Sequence, residues 1–178
     1  MKYFLDTEFQ ERCPSIELIS LGIVAEDGRE FYAEVKGIDP SRLDGWVKGN
    51  VYEHLWHVKE QELGFSLWAL EDVEYGGLRS RIGIRDAVLD FIDDDESPEF
   101  WGYYADYDWV AFCWLFGRMI DLPKGWPMYC RDVKQLADDM GDWIEQEGSN
   151  HNALEDARWT KAAYENLSAI RWVVEDGE

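Results

Sequence analysis

The chain lacks the features that mark secreted, zinc-stapled and membrane-spanning proteins. It has three cysteines, Cys13, Cys113 and Cys130, and no C-x-x-C pair, so neither a disulfide framework nor a structural zinc site is indicated. The longest apolar run, residues 109–116, is far shorter than the ~20 residues of a membrane span. Asp6 and Glu8 interrupt the apolar start before it reaches the length of a secretory signal. These absences predict a soluble, cytoplasmic protein with no membrane partner.

Basic residues are also scarce. The chain has 17 Lys and Arg against 38 Asp and Glu, a formal net charge of −21. Such a protein repels polyanions on average and does not coat DNA or anionic membranes. The ordinary explanation of the charge is solubility. Action on nucleic acid would need a local reversal of charge, and divalent cations in an acidic cleft provide one.

The 178 residues are 46% hydrophobic and 15% aromatic, which suits a single domain over residues 1–178 with a full core. Strands are predicted over Tyr3–Leu5, Ile16–Ala25, Phe31–Val35 and Phe100–Tyr103. Helices are predicted over Arg79–Asp93, with Leu78, Ile82, Leu89 and Ile92 on one face, near Val110–Gly117, over Asp132–Met140 and after Asn152. The segment 37–77, with Trp46, Trp56 and Trp68, is predicted as helical turns and loop over one end of the sheet. This order predicts an α/β fold, a mixed β-sheet flanked by α-helices.

Two carboxylates stand out on the first strand. Asp6 and Glu8 are two residues apart, so both side chains point to the same face of the strand. They follow three apolar residues, which suggests the end of a central strand. Taken alone, this pair of acids is explained more often by an exposed acidic strand face than by a metal site.

A second acidic motif, Tyr104-Ala105-Asp106-Tyr107-Asp108, lies between a strand and a helix. Asp106 is a candidate helix N-cap, and Asp108 in the first turn would be favoured by the partial positive charge of the helix terminus. The pattern by itself leaves open which of the two acids is functional.

A third motif is His151-Asn152-Ala153-Leu154-Glu155-Asp156. Asn152 and Glu155 have the spacing of a capping box, so the helix begins after Asn152 and His151 lies in the preceding loop. From the loop, His151 can reach the same cleft as Asp156. Four carboxylates at element ends and one loop histidine are what a two-metal phosphodiesterase needs, because hard Mg²⁺ or Mn²⁺ takes oxygen ligands and histidine stays free for proton transfer.

The three motifs, Phe4-Leu5-Asp6-Thr7-Glu8 and the two above, resemble those of DEDDh 3′-5′ exonucleases. The run Ile16–Ala33, with Trp46-Val47 and Tyr107-Asp108, is most similar to the small mycobacterial-type 3′-5′ exoribonucleases, which also occur in phages. The resemblance implies a ribonuclease H-like fold and two divalent ions, Mg²⁺ or Mn²⁺. It implies Asp6, Glu8, Asp108 and Asp156 as metal ligands, so it selects Asp108 over Asp106, and His151 as general base. It also implies that Asp6 bridges both ions and that Phe9 lies beside the 3′-terminal nucleotide. Tyr104 departs from the family, where many members have Asn.

The substrate expected from the resemblance is the 3′ end of a single-stranded nucleic acid, RNA rather than DNA. Members of the superfamily are often homodimers, and the acidic surface of this chain does not forbid a homodimer. Arg79, Arg81 and Arg85 are candidates for phosphate contacts, although a solvated helix face is the default explanation. Two alternatives stay open. One is a 3′-5′ DNA exonuclease with the same site, and the other is a noncatalytic acidic protein that mimics nucleic acid or docks on a basic partner.

Overall fold

The computed structural model describes residues 1–64, 66, 75–141, 146 and 151–175. The strands are β1 Lys2–Arg12, β2 Ser15–Ala25, β3 Glu30–Val35, β4 Tyr75–Arg79, β5 Glu99–Gly102 and β6 Arg131–Asp132. The α-helices are α1 Gly45–Asn50, α2 Trp56–Leu63, α3 Arg81–Ile92, α4 Asp106–Phe116, α5 Val133–Met140 and α6 Ala153–Glu175. Short 3-10 helices cover Pro40–Arg42, Tyr52–His54 and Met119–Asp121.

The strands form one six-stranded mixed sheet in the order β4-β3-β2-β1-β5-β6. β2 runs antiparallel to both β1 and β3, whereas β5 is parallel to β1, β6 to β5 and β4 to β3. This arrangement confirms the predicted α/β fold with a mixed sheet and is compatible with a ribonuclease H-like fold. β1 lies inside the sheet, as its apolar residues indicate.

Helices cover both faces of the sheet. Tyr3 and Leu5 of β1 share a core with α3 and α4, whereas Phe4 packs with α5 and α6 on the other face. Because strand side chains alternate, Asp6 and Glu8 follow Phe4 onto the face that α6 covers. Arg158 of α6 forms a salt bridge with Glu30 of β3 (2.6 Å), which fixes the helix across the strands.

The structure corrects the predicted face of the helix after Ser80. Ile92 is buried as predicted, together with Ile84, Val88 and Phe91, whereas Ile82 is 63% exposed and Leu78 and Leu89 are exposed as well. The prediction started the helix two residues early, at Arg79. Ser80 caps the helix by accepting from the backbone N–H of Gly83, and Leu78 belongs to β4, a strand that its two glycines concealed.

The segment 37–77 agrees with its prediction over α1, α2 and the short 3-10 helices, while Tyr75 to Gly77 form part of β4. Asp44 caps α1 through Val47 N–H (2.8 Å). The rest of this prediction, with Trp68, lies outside the described residues. β1 is also longer than predicted, so Asp6 and Glu8 lie in the middle of the strand rather than at its end.

Candidate active site

Carboxylates from two distant parts of the chain meet on the sheet. Asp6 and Glu8 of β1 and Asp156 of α6 each offer an oxygen, and these oxygens lie within 4.8 Å of one another. Asp156 is 8% exposed, and Asp6 and Glu8 are half-buried. The side chain of Gln146 donates to Asp156 Oδ1. The strand alternation and the helix start after Asn152 therefore bring together three of the acids that the motifs single out.

A glycine allows α6 to approach the sheet this closely. Gly22 of β2 pairs with Asp6 across the strands, and a Cβ at this position would lie 2.2 Å from the carbonyl oxygen of Ala153 and 2.5 Å from the backbone N of Leu154. The first turn of α6 therefore rests on the backbone of β2. This contact sets Asp156, one turn further along, beside Asp6 and Glu8.

Asp108 reaches the site from α4. The pairing of β5 with β1 covers only Lys2 to Phe4, so the next backbone N–H groups on that edge need other partners. Asp108 Oδ1 accepts from the backbone N–H of Thr7 (2.9 Å) and from its hydroxyl (2.6 Å). Asp108 is 8% exposed, and these bonds fix it beside the segment that carries Asp6 and Glu8.

The structure separates the two acids of the second motif. Asp106 is exposed and does not cap α4, because Ala105 occupies the N-cap position without a side-chain bond. The Ala105 N–H is instead held by Asp132 Oδ2 (2.9 Å). The predicted N-cap role of Asp106 is therefore wrong.

The four carboxylates repel one another electrostatically. Burial raises the pKa of Asp6 well above its usual range, and the charges of Asp108, Glu8 and Asp156 add to the rise. Burial, followed by the charges of Asp156 and Asp108, raises the pKa of Glu8 to about 8. Burial likewise raises the pKa of Asp108 to about 6, against the opposing effect of the Thr7 hydrogen bonds. Like charges held this close favour protons or cations between them.

The raised pKa of Glu8 predicts a pH dependence of stability without metal. An ordinary glutamate has a pKa of ~4.3. At pH values between this and about 8, the folded wild type therefore holds a proton on Glu8 that the unfolded chain has released. The stabilisation from this proton is complete below pH ~4 and is lost as pH rises through about 8. We expect Glu8→Gln to lose less unfolding free energy than wild type between pH 5 and 9, measured by urea denaturation in EDTA.

The control for this experiment is Glu53→Gln, at an exposed position in a short 3-10 helix. The unfolding free energy of Glu53→Gln, plotted against pH, should run parallel to that of wild type. A Glu8→Gln curve that is also parallel would contradict the raised pKa of Glu8.

Another buried carboxylate on the same sheet face has a structural role. Glu34 of β3 is 0% exposed and aligns with Glu8 through Ser20 of β2. Its oxygens accept from the backbone N–H groups of Trp56 (2.6 Å) and His57 (3.1 Å) at the start of α2 and from the Tyr32 hydroxyl (2.9 Å). Donors from α2 and β3 thus satisfy Glu34.

His151 lies outside α6, as predicted. Asn152 caps the helix by accepting from the N–H groups of Leu154 (3.1 Å) and Glu155 (3.2 Å). His151 has φ of 49°, a left-handed conformation that few non-glycine residues adopt. Its ring contacts Trp46 of α1 edge to face, with centroids 4.7 Å apart. The histidine is half-buried.

Phe9 lies just beyond the cluster, where the register between β1 and β2 shifts. Its ring meets Tyr107 edge to face at 5.9 Å. Phe9 and Trp46 line an open groove of about 410 Å³ together with Gln10, Glu11, Cys13, Asp44 and Val47.

The sequence motifs did not predict three contacts of the site: the hydrogen bond from Thr7 to Asp108, the contact of Trp46 with His151 and the hydrogen bond from Gln146 to Asp156. Each depends on which distant segments meet, and short-range spacing does not carry that information.

The comparisons with known proteins agree with this geometry. The profile of the "3'-5' exoribonuclease Rv2179c-like domain" matches residues 1–168. The chain belongs to this family. It is 41% identical over 162 residues to two proteins of Mycobacterium tuberculosis, the 3′-5′ exoribonuclease Rv2179c of strain H37Rv and the 3′-5′ exoribonuclease MT2234.1 of strain CDC 1551. The match covers 89% of this chain and 88% of each relative.

Membership of the Rv2179c-like family confirms the prediction that the chain is an enzyme of the exoribonuclease class. The matched region contains all three motifs. In the part of the chain that the structure describes, no helix is long and apolar enough to cross a membrane. The cytoplasmic location and the homodimer stay predictions.

Proposed function

We propose that the protein is a metal-dependent 3′-5′ exoribonuclease of the DEDDh type that removes nucleotides from the 3′ end of single-stranded RNA. The observation that carries the proposal is the convergence of oxygens from Asp6, Glu8 and Asp156 within 4.8 Å, in a chain of the Rv2179c-like family. Clustered oxygen donors with raised pKa values suit hard divalent cations. Such a set of oxygen ligands is complete without a histidine nitrogen or a cysteine sulfur.

Asp6, Glu8, Asp156 and Asp108 would hold two Mg²⁺ or Mn²⁺ ions. The bound ions would neutralise charge on the scissile phosphate and lower the pKa of water. The hydrogen bonds from Thr7 fix one oxygen of Asp108, so this carboxylate is positioned before substrate binds. The same acids keep phosphates away from the site until cations are present.

His151 would act as general base. Its ring nitrogen takes the proton of the water that attacks phosphorus, while the bond from phosphorus to the 3′ oxygen of the preceding nucleotide breaks and that oxygen gains a proton. The products are a nucleoside 5′-monophosphate and an RNA shortened by one residue. Imidazole suits this role because it exchanges protons near neutral pH, and Phe9 would lie beside the terminal nucleotide.

The test is digestion of a 5′-labelled single-stranded RNA with Mg²⁺, with Mn²⁺ and with EDTA, beside a DNA of the same sequence and an RNA with a blocked 3′ end. A ladder that shortens from the free 3′ end of RNA, only with metal, is expected. Internal cuts would indicate an endonuclease, and preference for the DNA would favour the DNA exonuclease. No cleavage and no metal-dependent shift in melting temperature would favour a noncatalytic acidic protein.

Replacing His151 should separate catalysis from metal binding. We expect His151→Ala to lower kcat about 10²- to 10⁴-fold, the usual contribution of a general base. The metal-induced shift in melting temperature should stay close to that of wild type. His151→Asn retains a residue suited to the left-handed backbone and should show the same loss.

The control is His54→Ala, because His54 is exposed in a short 3-10 helix, and it should leave kcat unchanged. A His151 variant that binds metal as poorly as Asp156→Ala would contradict the base assignment.

A further inference from the structure

Two of the four clustered carboxylates have a hydrogen-bond donor from the protein. Thr7 donates to Asp108 through its backbone N–H and its hydroxyl. The side chain of Gln146 donates to Asp156. Within the described residues no hydrogen bond reaches the two acids of β1, whose pKa values are moved by burial and by neighbouring charges. Carboxylates that bind metal ions are usually themselves hydrogen-bonded, which fixes their orientation, so a donor is missing for this pair.

The strand register places different residues opposite the two acids of β1. Asp6 pairs with Gly22, which has no side chain to donate, whereas Glu8 pairs with Ser20. Residues directly opposite each other in an antiparallel pair point to the same face, with Cβ atoms about 4.5–5.5 Å apart. The Ser20 side chain therefore lies on the face of the sheet that carries the carboxylates, beside Glu8.

The Ser20 hydroxyl is a buried donor without an acceptor. Ser20 is 0% exposed, and its Oγ has no hydrogen-bond partner among the described residues. Burial, followed by the charge of Glu34, raises the pKa of the Tyr32 phenol well above its usual range. Ser20 opposes this rise and Glu8 adds to it, so both side chains lie near the same phenol. Since buried polar groups are nearly always paired, the free hydroxyl at this place requires an explanation.

The carboxylate on the other side of Ser20 is already saturated. Ser20 pairs with Glu34 of β3 as well as with Glu8. The oxygens of Glu34 have four partners: the backbone N–H of Trp56 (2.6 Å), the backbone N–H (3.1 Å) and ring Nδ1 (2.6 Å) of His57, and the Tyr32 hydroxyl (2.9 Å). A carboxylate offers about four lone-pair sites, so Glu34 has none left for Ser20. Glu8 is the neighbouring carboxylate that still has acceptor sites.

We propose that Ser20 is a positioning residue of the metal site, whose hydroxyl donates to Glu8 and holds this carboxylate in the orientation that binds a cation. The inference rests on the proposed function, because it assumes that Glu8 is a metal ligand. The two side chains are not bonded to each other in the structure, so the contact closes by a change of side-chain rotamer when Glu8 engages the ion. Ser20 then fixes Glu8 as Thr7 fixes Asp108.

The test is Ser20→Ala, titrated with Mg²⁺ in the absence of RNA. The Mg²⁺ affinity, obtained from the rise of the melting temperature with Mg²⁺ concentration, should fall about 10- to 100-fold, the usual effect of removing a partner of a metal ligand. The urea midpoint in EDTA should equal or exceed that of wild type, because the substitution removes a buried hydroxyl that has no partner. A hydroxyl with only a structural role would instead lower the midpoint and leave the affinity unchanged.

Two further variants separate the hydroxyl from side-chain volume and from its strand. Ser20→Cys nearly keeps the volume but offers only a weak S–H donor, so its Mg²⁺ affinity should fall as in Ser20→Ala. Ser15→Ala is the matched control on β2. Ser15 is exposed and its hydroxyl already donates to the Arg12 carbonyl oxygen (2.9 Å), so this variant should bind Mg²⁺ like wild type.

The possible outcomes distinguish the role of Ser20 from the proposed function. If wild type is stabilised by Mg²⁺ and Ser20→Ala or Ser20→Cys binds the ion equally well, the role of Ser20 is overturned and the proposed function stands. A urea midpoint of Ser20→Ala below that of wild type in EDTA would also overturn this role. If neither Mg²⁺ nor Mn²⁺ stabilises wild type, the proposed metal-dependent function fails, and the inference fails with it.

Discussion

Asp6→Asn should abolish RNA cleavage and at the same time stabilise the metal-free protein. Asp6 is the carboxylate whose pKa the charges of the other three acids all raise, and the proposed mechanism makes it a metal ligand. We expect a loss of at least about a thousandfold in kcat, equivalent to roughly 4 kcal/mol of transition-state stabilisation. Removing its charge relieves repulsion, so the melting temperature in EDTA at pH 8 should rise by about 3 °C.

The loss of activity and the gain of stability expected for Asp6→Asn together distinguish a functional acid from a structural one. Asp90→Asn removes the same charge from an exposed position of α3 and should change neither activity nor the response to Mg²⁺. In Asp6→Asn the stabilisation by Mg²⁺ should disappear, because binding to the native state alone raises stability by mass action. A variant that loses stability in EDTA would mean that Asp6 is held by favourable contacts, against the electrostatic picture given above.

The charge of the site explains why an acidic protein can act on a polyanion. Metal-free, the clustered acids and the net charge of −21 both repel RNA. Bound cations would reverse the sign only where the carboxylates converge. Binding confined to this place would favour a free strand end over a duplex, which offers phosphates on all sides and would need a broad basic face.

Local pattern was enough to predict the shared face of Asp6 and Glu8 and the loop position of His151, but not that the two acids lie in the middle of β1. Alternation along β1 put Asp6 and Glu8 on one face, and the capping signal at Asn152 placed His151 in the loop, because each depends on residues within a single element. The selection of Asp108 over Asp106 came from resemblance. The structure shows Asp108 in contact with Thr7, a residue 101 positions away in sequence, and short-range spacing does not predict this contact.

The predictions that failed depended on long-range packing. Ile82 and Leu89 have helical spacing with Leu78, yet the sheet buries the neighbouring face with Ile84, Val88 and Phe91. A helix with apolar residues on two faces does not reveal which one faces the core. β4 was missed because Gly76 and Gly77 weaken its strand pattern, although pairing with β3 stabilises it in the fold.

Gly22→Ala should damage both the fold and the site, even though residue 22 carries no functional group. The added methyl would lie 2.2 Å from the carbonyl oxygen of Ala153, so the backbone of α6 must move away from β2. Overpacking of this kind costs about 1–3 kcal/mol, and we expect the upper end, because the obstacle is backbone that cannot change rotamer. The displacement also separates Asp156 from Asp6, so metal binding should weaken in the molecules that remain folded.

The measurement pairs urea denaturation with Mg²⁺ titration under conditions in which the variant is folded, followed by RNA digestion at saturating metal. Gly49→Ala is the control, since a Cβ at Gly49 has no atom within 4 Å and alanine in helix α1 should stabilise by roughly 0.5–1 kcal/mol. Activity that falls only in proportion to the unfolded fraction would show that the site tolerates movement of α6. A loss beyond that fraction, with weaker Mg²⁺ binding, would tie the close approach of α6 and β2 to the geometry of the carboxylates.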